Sequence, residues 1–346
     1  LFVAGFIRLK PQRKWVWVAG ATVQAIAAAV LALLALMGSG AMGGALVLAA
    51  LILLSLARGL SSIATKDVLG KTIAKRRRGT LMGWSGSIAG AATLVAGGIL
   101  VAFGDRPGHV ALATLLGVAA GGWLLNALCA ARINEVPGAV EGGENAWDSI
   151  KLGMSLMRED ATFLHFNLAR ALLLSSALAL PYVALLGQQQ SGTELGGLGI
   201  LVVVSGLAAM VASPIWGKRA DRSSRRVMRD AAIGTAICCL LGALIAWLPG
   251  SWTQSVLPYA GVYALLVVVH HGVRLGRKTY LVDIANQDNR ALYVALSNTF
   301  TGVLMLVVGG MMGALAQWLG SAMLLVILAL TAIGAMLSAQ RLPEAE

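Results

Sequence analysis

Long apolar segments recur along almost the whole chain, and they constrain its fold more than any other feature of the sequence. A helix needs about 20 apolar residues to cross a bilayer, and a soluble core of this size needs few segments of that length. The 346 residues are 58% hydrophobic and 12% charged, with a mean hydropathy of +0.79. The segments are rich in Ala, Gly and Leu and show no alternation of period two, which favours helices over a barrel. We therefore expect an all-α, polytopic membrane bundle.

Ten of these segments are predicted to span the membrane. Short, nearly uncharged connections alternate strictly with longer, basic ones, which supports both the number of segments and their orientation. Tryptophans fall near the ends of many segments, where interfacial aromatic residues are common. The predicted spans are 15–37, 40–63, 81–103, 110–131, 163–186, 195–215, 231–248, 256–270, 292–315 and 319–337.

Basic residues lie almost entirely on one side of the predicted bundle. Arg106 falls in a loop of the other side, and Arg58 and Arg170 fall within spans, which leaves 24 of the 27 Lys and Arg on one side. This distribution is typical of the positive-inside rule, so the basic loops are expected in the cytoplasm. It accounts for the net charge of +12 without a nucleic-acid partner. Composition and compact loops favour a bacterial inner membrane.

The longest loop, residues 132–162, divides the chain into two parts. Within it Trp147, Ile150, Met154 and Met157 recur at roughly helical spacing, so we expect an amphipathic helix at the inner membrane surface. A disordered linker is the alternative. The predicted domains are an N-terminal helical half at 1–131, this cytoplasmic loop at 132–162, and a C-terminal helical half at 163–346.

The two halves repeat each other at an offset of 212 residues, which pairs Arg78 with Arg290 and Ser85 with Ser297. At this offset, the first helix and most of the second helix of the C-terminal half project to positions before Leu1. We therefore expect a fragment of a parent with two pseudo-symmetric six-helix halves. The first half would lack about two helices, or roughly 50 residues.

A basic turn between two predicted spans carries the most specific pattern in the chain. Residues 217–226 read G-x-x-x-D-R-x-x-R-R, and we call them the signature turn. A turn that only anchors the topology is the simpler interpretation. The pattern resembles the loop signature of the major facilitator superfamily of transporters, which usually has Gly at the position of Ser224. The matching residues are Gly217, Asp221, Arg222, Arg225 and Arg226.

The resemblance implies a secondary transporter in which the signature turn is a conformational latch on the cytoplasmic side. It implies that Asp221 pairs with a neighbouring arginine, such as Arg222 or Arg225. The same carboxylate is expected to face the cytoplasmic beginning of the span at 81–103, where the helix dipole favours a negative charge. The first copy of the signature is damaged, because Leu9 stands where the second copy has Asp221. The two copies are therefore expected to have unequal roles.

Polar side chains within predicted spans are the candidate substrate-binding residues, because such residues are costly in a bilayer. Asn167 and Arg170 share one helix face. Arg170 either extends to the inner surface or faces a cavity, where it would favour an anionic or carboxylate-bearing substrate. Gln24 and Asn298 are the other candidates, with interhelical hydrogen bonding as their alternative role. None of the 15 Asp and Glu lies in the middle of a span, which disfavours carboxylate-based proton coupling.

Other classes of membrane protein have little support in the sequence. It contains no H-E-x-x-H, no G-x-S-x-G and no P-loop, so we expect neither an enzyme nor an ATP-driven pump. Its three cysteines lie within apolar segments, and we expect no metal and no cofactor. The prediction is a monomer in the lipid bilayer that moves a small-molecule substrate by alternating access. A non-transporting sensor or scaffold with the same fold is the alternative.

Overall fold

The computed structural model describes residues 10–37, 41–102, 108–137, 151, 155–191, 198–285 and 290–344. Eight helical stretches of this part of the chain are long and apolar enough to cross a membrane. The all-α, multi-pass architecture predicted from the apolar segments is confirmed. In chain order the helices are α1 (Lys14–Met37), α2 (Ala41–Thr72), α3 (Lys75–Ala102), α4 (His109–Ala131), α5 (Ala161–Leu172), α6 (Ser175–Ser191), α7 (Leu198–Arg222), α8 (Ser224–Trp247), α9 (Val256–Ile284) and α10 (Arg290–Arg341).

Several helices continue past the predicted spans at the ends that carry the basic residues. The second helix reaches Thr72 rather than residue 63, α3 begins at Lys75 rather than residue 81, and α9 reaches Ile284 rather than residue 270. Hydropathy detects only the apolar part of a helix, whereas polar turns continue where side chains find partners. Many basic residues that were predicted to lie in loops therefore lie on helix ends, where neighbouring helices can contact them.

The predicted span at 163–186 is interrupted. The α5 helix begins after Asp160, whose carboxylate caps it by accepting a hydrogen bond from the Phe163 amide at 2.9 Å. It ends at Leu172, and α6 begins at Ser175. At the break the Ser176 hydroxyl donates to the Leu173 carbonyl at 3.0 Å, which satisfies a carbonyl near the interruption.

The last two predicted spans are two helices that meet at Gly320 within α10. Gly320 lies within α10 at φ 73° and ψ 162°, at the second residue of the span predicted at 319–337. A residue with a side chain rarely adopts this backbone conformation, so glycine is the suitable residue at the turn. The observed break therefore lies close to the predicted connection.

The structure divides into two compact units that interleave along the sequence. Unit 1 comprises Leu1–Ala74, Ala102–Met154 and Ala285–Leu296, and unit 2 comprises the rest, each within the described residues. Unit 1 therefore contains α1, α2, α4 and the beginning of α10. The division into sequence halves around residues 132–162 stays a prediction. The amphipathic helix predicted there lies largely outside the described residues, although residues 155–159 are helical.

The two units have cores of different composition. In unit 1, α1 packs against α2 and α4, and its buried positions are mostly small. Ala21, Ala27 and Ala28 are at most 2% exposed. In unit 2 the core uses larger side chains, including Tyr259 and Leu266 of α9. Small residues let helices approach closely in a membrane, where packing supplies much of the stability.

Candidate functional site

The signature turn lies in unit 2 and connects α7 to α8. Ser223 separates the two helices and caps α8, because its hydroxyl accepts a hydrogen bond from the Arg226 amide at 3.1 Å. The same hydroxyl donates to the Glu344 carboxylate at 2.8 Å. The turn is therefore tied to the segment that follows α10, and its conformation is fixed at both sides.

Asp221 lies in the last turn of α7, and its carboxylate binds the beginning of α3. One oxygen accepts from the Gly79 amide at 2.6 Å, and the other accepts from the Thr80 amide at 2.8 Å. The Thr80 hydroxyl also donates to this carboxylate. Both amides belong to the first two turns of α3, where the helix dipole favours a negative charge. A side chain of α7 thus holds the beginning of α3 within unit 2.

Glycines permit this close approach of α3 to α7. A Cβ atom on Gly217 would lie 2.6 Å from the Gly79 carbonyl oxygen, and one on Gly83 would lie 2.6 Å from the Ser213 carbonyl oxygen. Farther along α3, a Cβ on Gly97 would lie 2.7 Å from the Val203 amide nitrogen. A continuous row of glycines therefore brings the two backbones into contact, as in other tightly packed membrane helices.

The Gly83→Ala substitution is expected to lower the stability of the protein by about 1–3 kcal/mol, because the added methyl group meets backbone atoms that cannot rotate away. The thermal unfolding midpoint of the purified protein measures this loss. Gly98→Ala is the matched control, since a Cβ atom there has nothing within 4 Å. Equal midpoints for the two variants would contradict the account of α3–α7 packing.

The arginines of the signature turn do not pair with Asp221. Arg225 forms an ion pair with Glu344 at 2.8 Å, Arg226 lies 3.8 Å from the same carboxylate, and Arg222 is exposed. The expected pairing of Asp221 with Arg222 or Arg225 is therefore wrong. The physical reason is that both Asp221 oxygens already accept from α3, while Glu344 offers Arg225 a carboxylate beside the turn.

A second contact at the beginning of α3 escaped the sequence analysis. Arg78 donates to Asp283 of α9 at 2.8 Å, and the two side chains are only 10% and 6% exposed. Asp283 lies beyond the predicted span at 256–270. Burial raises the pKa of its carboxyl group, and the hydrogen bond from Arg78 opposes that shift. Two carboxylates of unit 2, on α7 and α9, therefore bind the same end of α3.

Unit 1 contains a buried charge cluster that the sequence analysis also missed. We call it the Asp67 cluster. The fully buried carboxylate of Asp67 lies 2.7 Å from the Arg13 guanidinium, 3.2 Å from the Lys71 ammonium and 3.9 Å from the Arg290 guanidinium. A Cβ atom on Gly70 would overlap the Arg290 side chain. The beginning of α10 is thus held against α2 within unit 1.

Glu135 completes the Asp67 cluster from the segment after α4. Its carboxylate accepts from the Arg13 amide at 3.1 Å and from the Lys14 amide at 2.7 Å, and it pairs with Lys71 at 3.1 Å. Lys14 begins α1, so Glu135 supplies a negative charge at a helix N-terminus. Glu135, which is distant in sequence, therefore binds Arg13 and Lys14, the two residues at the end of the first copy of the signature.

Three of the four predicted substrate-binding residues meet in unit 2. Asn167 donates to the Phe163 carbonyl at 2.9 Å and accepts from the Ser297 hydroxyl at 2.7 Å. Arg170 donates to the Asn298 side-chain oxygen at 3.0 Å. We call Asn167, Arg170, Ser297 and Asn298 the Arg170 cluster. It joins α5 to α10, and Ser297 is the member that was not predicted as a site residue.

Gln24, the fourth predicted residue, lies in unit 1 and connects two helices. Its side-chain nitrogen donates to the Gly20 carbonyl and to the Ser61 hydroxyl, both at 3.1 Å. The residue is fully buried, and its side-chain oxygen has no hydrogen-bond partner. Interhelical hydrogen bonding, the alternative role considered for Gln24, describes these contacts.

Comparison with known proteins identifies the fold. No family model matches the sequence, and no curated protein matches it. The E. coli fucose:proton symporter FucP aligns over 99% of this chain and 87% of its own, with a TM-score of 0.70 and 14% identity. A bacterial homologue of the iron transporter ferroportin, in its outward-facing state, aligns over 98% and 87%, with a TM-score of 0.68 and 14% identity.

A human protein gives a similar result. The organic anion transporter MFSD10 aligns over 98% of this chain and 79% of its own, with a TM-score of 0.73 and 14% identity. These identities are too low to transfer a substrate, but the structural agreement covers nearly the entire chain. The chain therefore has the fold of the major facilitator superfamily transporters, as the signature turn predicted.

Proposed function

We propose that this protein is a secondary active transporter that moves a small solute across the membrane by alternating access. The observation that carries the proposal is the binding of α3 by Asp221. Through it, a carboxylate of the C-terminal half holds two backbone amides of the N-terminal half. A contact of this kind closes one end of a helical bundle and is released when the halves rock apart.

The arrangement suits a two-state switch. The hydrogen bonds to Asp221 and the ion pair between Arg78 and Asp283 act on the same end of α3. Backbones packed through glycine cannot separate gradually without losing most of their contacts. The latch residues Gly217 and Asp221 thus act by holding one conformation, while Arg225 and Arg226 hold the turn itself through Glu344.

The orientation follows from charge. The signature turn is itself one of the basic connections, which the positive-inside rule assigns to the cytoplasm. We infer a multi-pass, monomeric protein of a bacterial inner membrane, with its latch on the cytoplasmic side. The proposal needs no chemical step, no metal and no cofactor, since conformational exchange alone carries the solute.

Flux measurements test the proposal against a sensor or scaffold. The purified protein is screened for thermal stabilisation by sugars, amino acids and organic acids, and each stabilising solute is then offered in labelled form to proteoliposomes. We expect saturable uptake of at least one stabilising solute. Uptake by protein-free liposomes is the control. Stabilisation without uptake would favour a sensor and would contradict transport.

A further inference from the structure

We propose that unit 2 contains an oxyanion-binding subsite built on Arg170, and that the solute carries a carboxylate or phosphate group. The role of this subsite in transport rests on the proposed function, whereas its ability to bind an oxyanion does not.

Arg170 is a buried cation with an unused donor. The residue is 8% exposed, so its side chain is enclosed by the protein rather than extended to the surface. One terminal nitrogen donates to Asn298, but the Nε atom is buried without a hydrogen-bond partner. Within the described residues no carboxylate forms an ion pair with Arg170. A buried guanidinium is costly unless an anion compensates its charge.

The surroundings of Arg170 increase the positive potential. Arg277 of α9 is a second cation in this part of unit 2, and its charge repels that of Arg170. His270 of the same helix experiences repulsion from both Arg277 and Arg274. The hydrogen-bond acceptor of Arg170 is the neutral amide oxygen of Asn298. Asn298 therefore orients the guanidinium but does not neutralise it.

Other members of the Arg170 cluster hold this geometry firmly. Asn167 uses its amide nitrogen on the Phe163 carbonyl and its amide oxygen on Ser297. Phe166, one helical turn before Arg170, stacks on Tyr280 with ring centroids 5.4 Å apart, and both residues are fully buried. Phe166 and Arg170 are four residues apart and so share one face of α5, and an apolar environment strengthens electrostatic contacts. A planar guanidinium matches the two oxygens of a carboxylate or phosphate.

The other buried arginines among the described residues each lie near a carboxylate of the protein. Arg13 lies 2.7 Å and Arg290 3.9 Å from Asp67, and Arg78 lies 2.8 Å from Asp283. In each case the protein supplies its own carboxylate to the cation. Arg170 differs because its compensating anion is missing from the described chain, which is the arrangement expected of a site that takes the anion from its ligand.

Thermal unfolding with oxyanions tests the subsite. The purified protein is titrated with succinate, pyruvate or inorganic phosphate at constant ionic strength, with glucose as the neutral control. We expect saturable stabilisation by at least one oxyanion, with an apparent Kd at least about tenfold weaker in Arg170→Met. Arg58→Met is the matched control, because Arg58 is an exposed arginine of α2, and it should bind like the parent protein. Stabilisation by succinate or pyruvate would indicate a carboxylate ligand, and stabilisation by inorganic phosphate would indicate a phosphate ligand.

A second variant supplies the missing anion internally. Asn298→Asp would place a carboxylate where an oxygen already lies 3.0 Å from Arg170. Without ligand, both Asn298→Asp and Arg170→Met should unfold at a midpoint equal to or above that of the parent, and both should bind the oxyanion at least about tenfold more weakly. The proposal is overturned by no saturable oxyanion effect in the parent, by undiminished binding in Arg170→Met, or by a lowered ligand-free midpoint of that variant.

Flux measurements separate this proposal from transport itself. Oxyanion binding that is lost in Arg170→Met, without uptake by the parent protein, would support the subsite and contradict transport. Saturable uptake of a neutral solute that Arg170→Met leaves unchanged would support transport and overturn the subsite. Uptake of an oxyanion that requires Arg170 would support both.

Discussion

The Asp67→Asn substitution is expected to destabilise the protein by about 3–5 kcal/mol, because it removes the central anion of a buried charge cluster. Asp67 is fully buried beside Arg13 and Lys71, with Arg290 at 3.9 Å. Once the charge of Asp67 is removed, Glu135 is the one carboxylate that remains in the cluster for its three cations. The thermal unfolding midpoint of the purified variant, followed by tryptophan fluorescence, measures the loss.

Asp230→Asn provides the control for Asp67→Asn. The Asp230 side chain is 38% exposed and pairs with the adjacent Arg229 at 2.6 Å, so the same chemical change occurs near the surface. Its effect should stay within about 0.5 kcal/mol. If Asp67→Asn unfolded at the same midpoint as Asp230→Asn, the Asp67 cluster would contribute little to stability.

The sequence predicted the fold and the location of Asp221 because both depend on strong local signals. Apolar length identifies membrane helices without knowledge of their packing. The signature turn has a specific order of residue types. A carboxylate is stabilised beside the N-terminus of a helix, which is why Asp221 was expected at the beginning of α3. The role of the matched residues as a latch stays a prediction.

Hydropathy and sequence pattern could not predict the ion pairs at the beginnings of α3 and α10. Arg78 and Asp283 are 205 residues apart in the chain. The repeat paired Arg78 with Arg290, and each lies in the first turn of its helix beside a carboxylate, Asp283 for the former and Asp67 for the latter. Which carboxylate approaches which arginine depends on tertiary packing, and hydropathy had placed these residues outside the helices.

The environment of the Arg170 side chain also could not be determined from sequence spacing alone. Sequence spacing placed it on one helix face with Asn167, but it left open whether the side chain extends to the inner surface or faces a cavity. The structure shows a buried side chain that donates to Asn298, and its role in substrate binding stays a prediction. The repeat paired Ser297 with Ser85, but neither the repeat nor helical spacing indicated its hydrogen bond to Asn167.

The Asp221→Asn substitution is expected to weaken the latch and to favour the conformation that is open on the cytoplasmic side. Both carboxylate oxygens accept backbone hydrogen bonds, one from Gly79 and one from Thr80. An asparagine has one acceptor oxygen, so its amide group would face one of these N–H groups donor to donor. Hydrogen bonds to a charged group contribute about 1.5–3 kcal/mol, which corresponds to a shift of roughly tenfold or more.

Cysteine labelling at Ser213 tests this central claim most directly. Ser213 is 2% exposed on α7, where a Cβ atom on Gly86 of α3 would lie 2.8 Å from its own Cβ. In a background without the three native cysteines, Ser213→Cys should react slowly with N-ethylmaleimide. Asp221→Asn should accelerate the reaction at least about tenfold, and Asp230→Asn should not. Equal labelling rates in all three proteins would contradict the latch and, with it, the proposed inner gate.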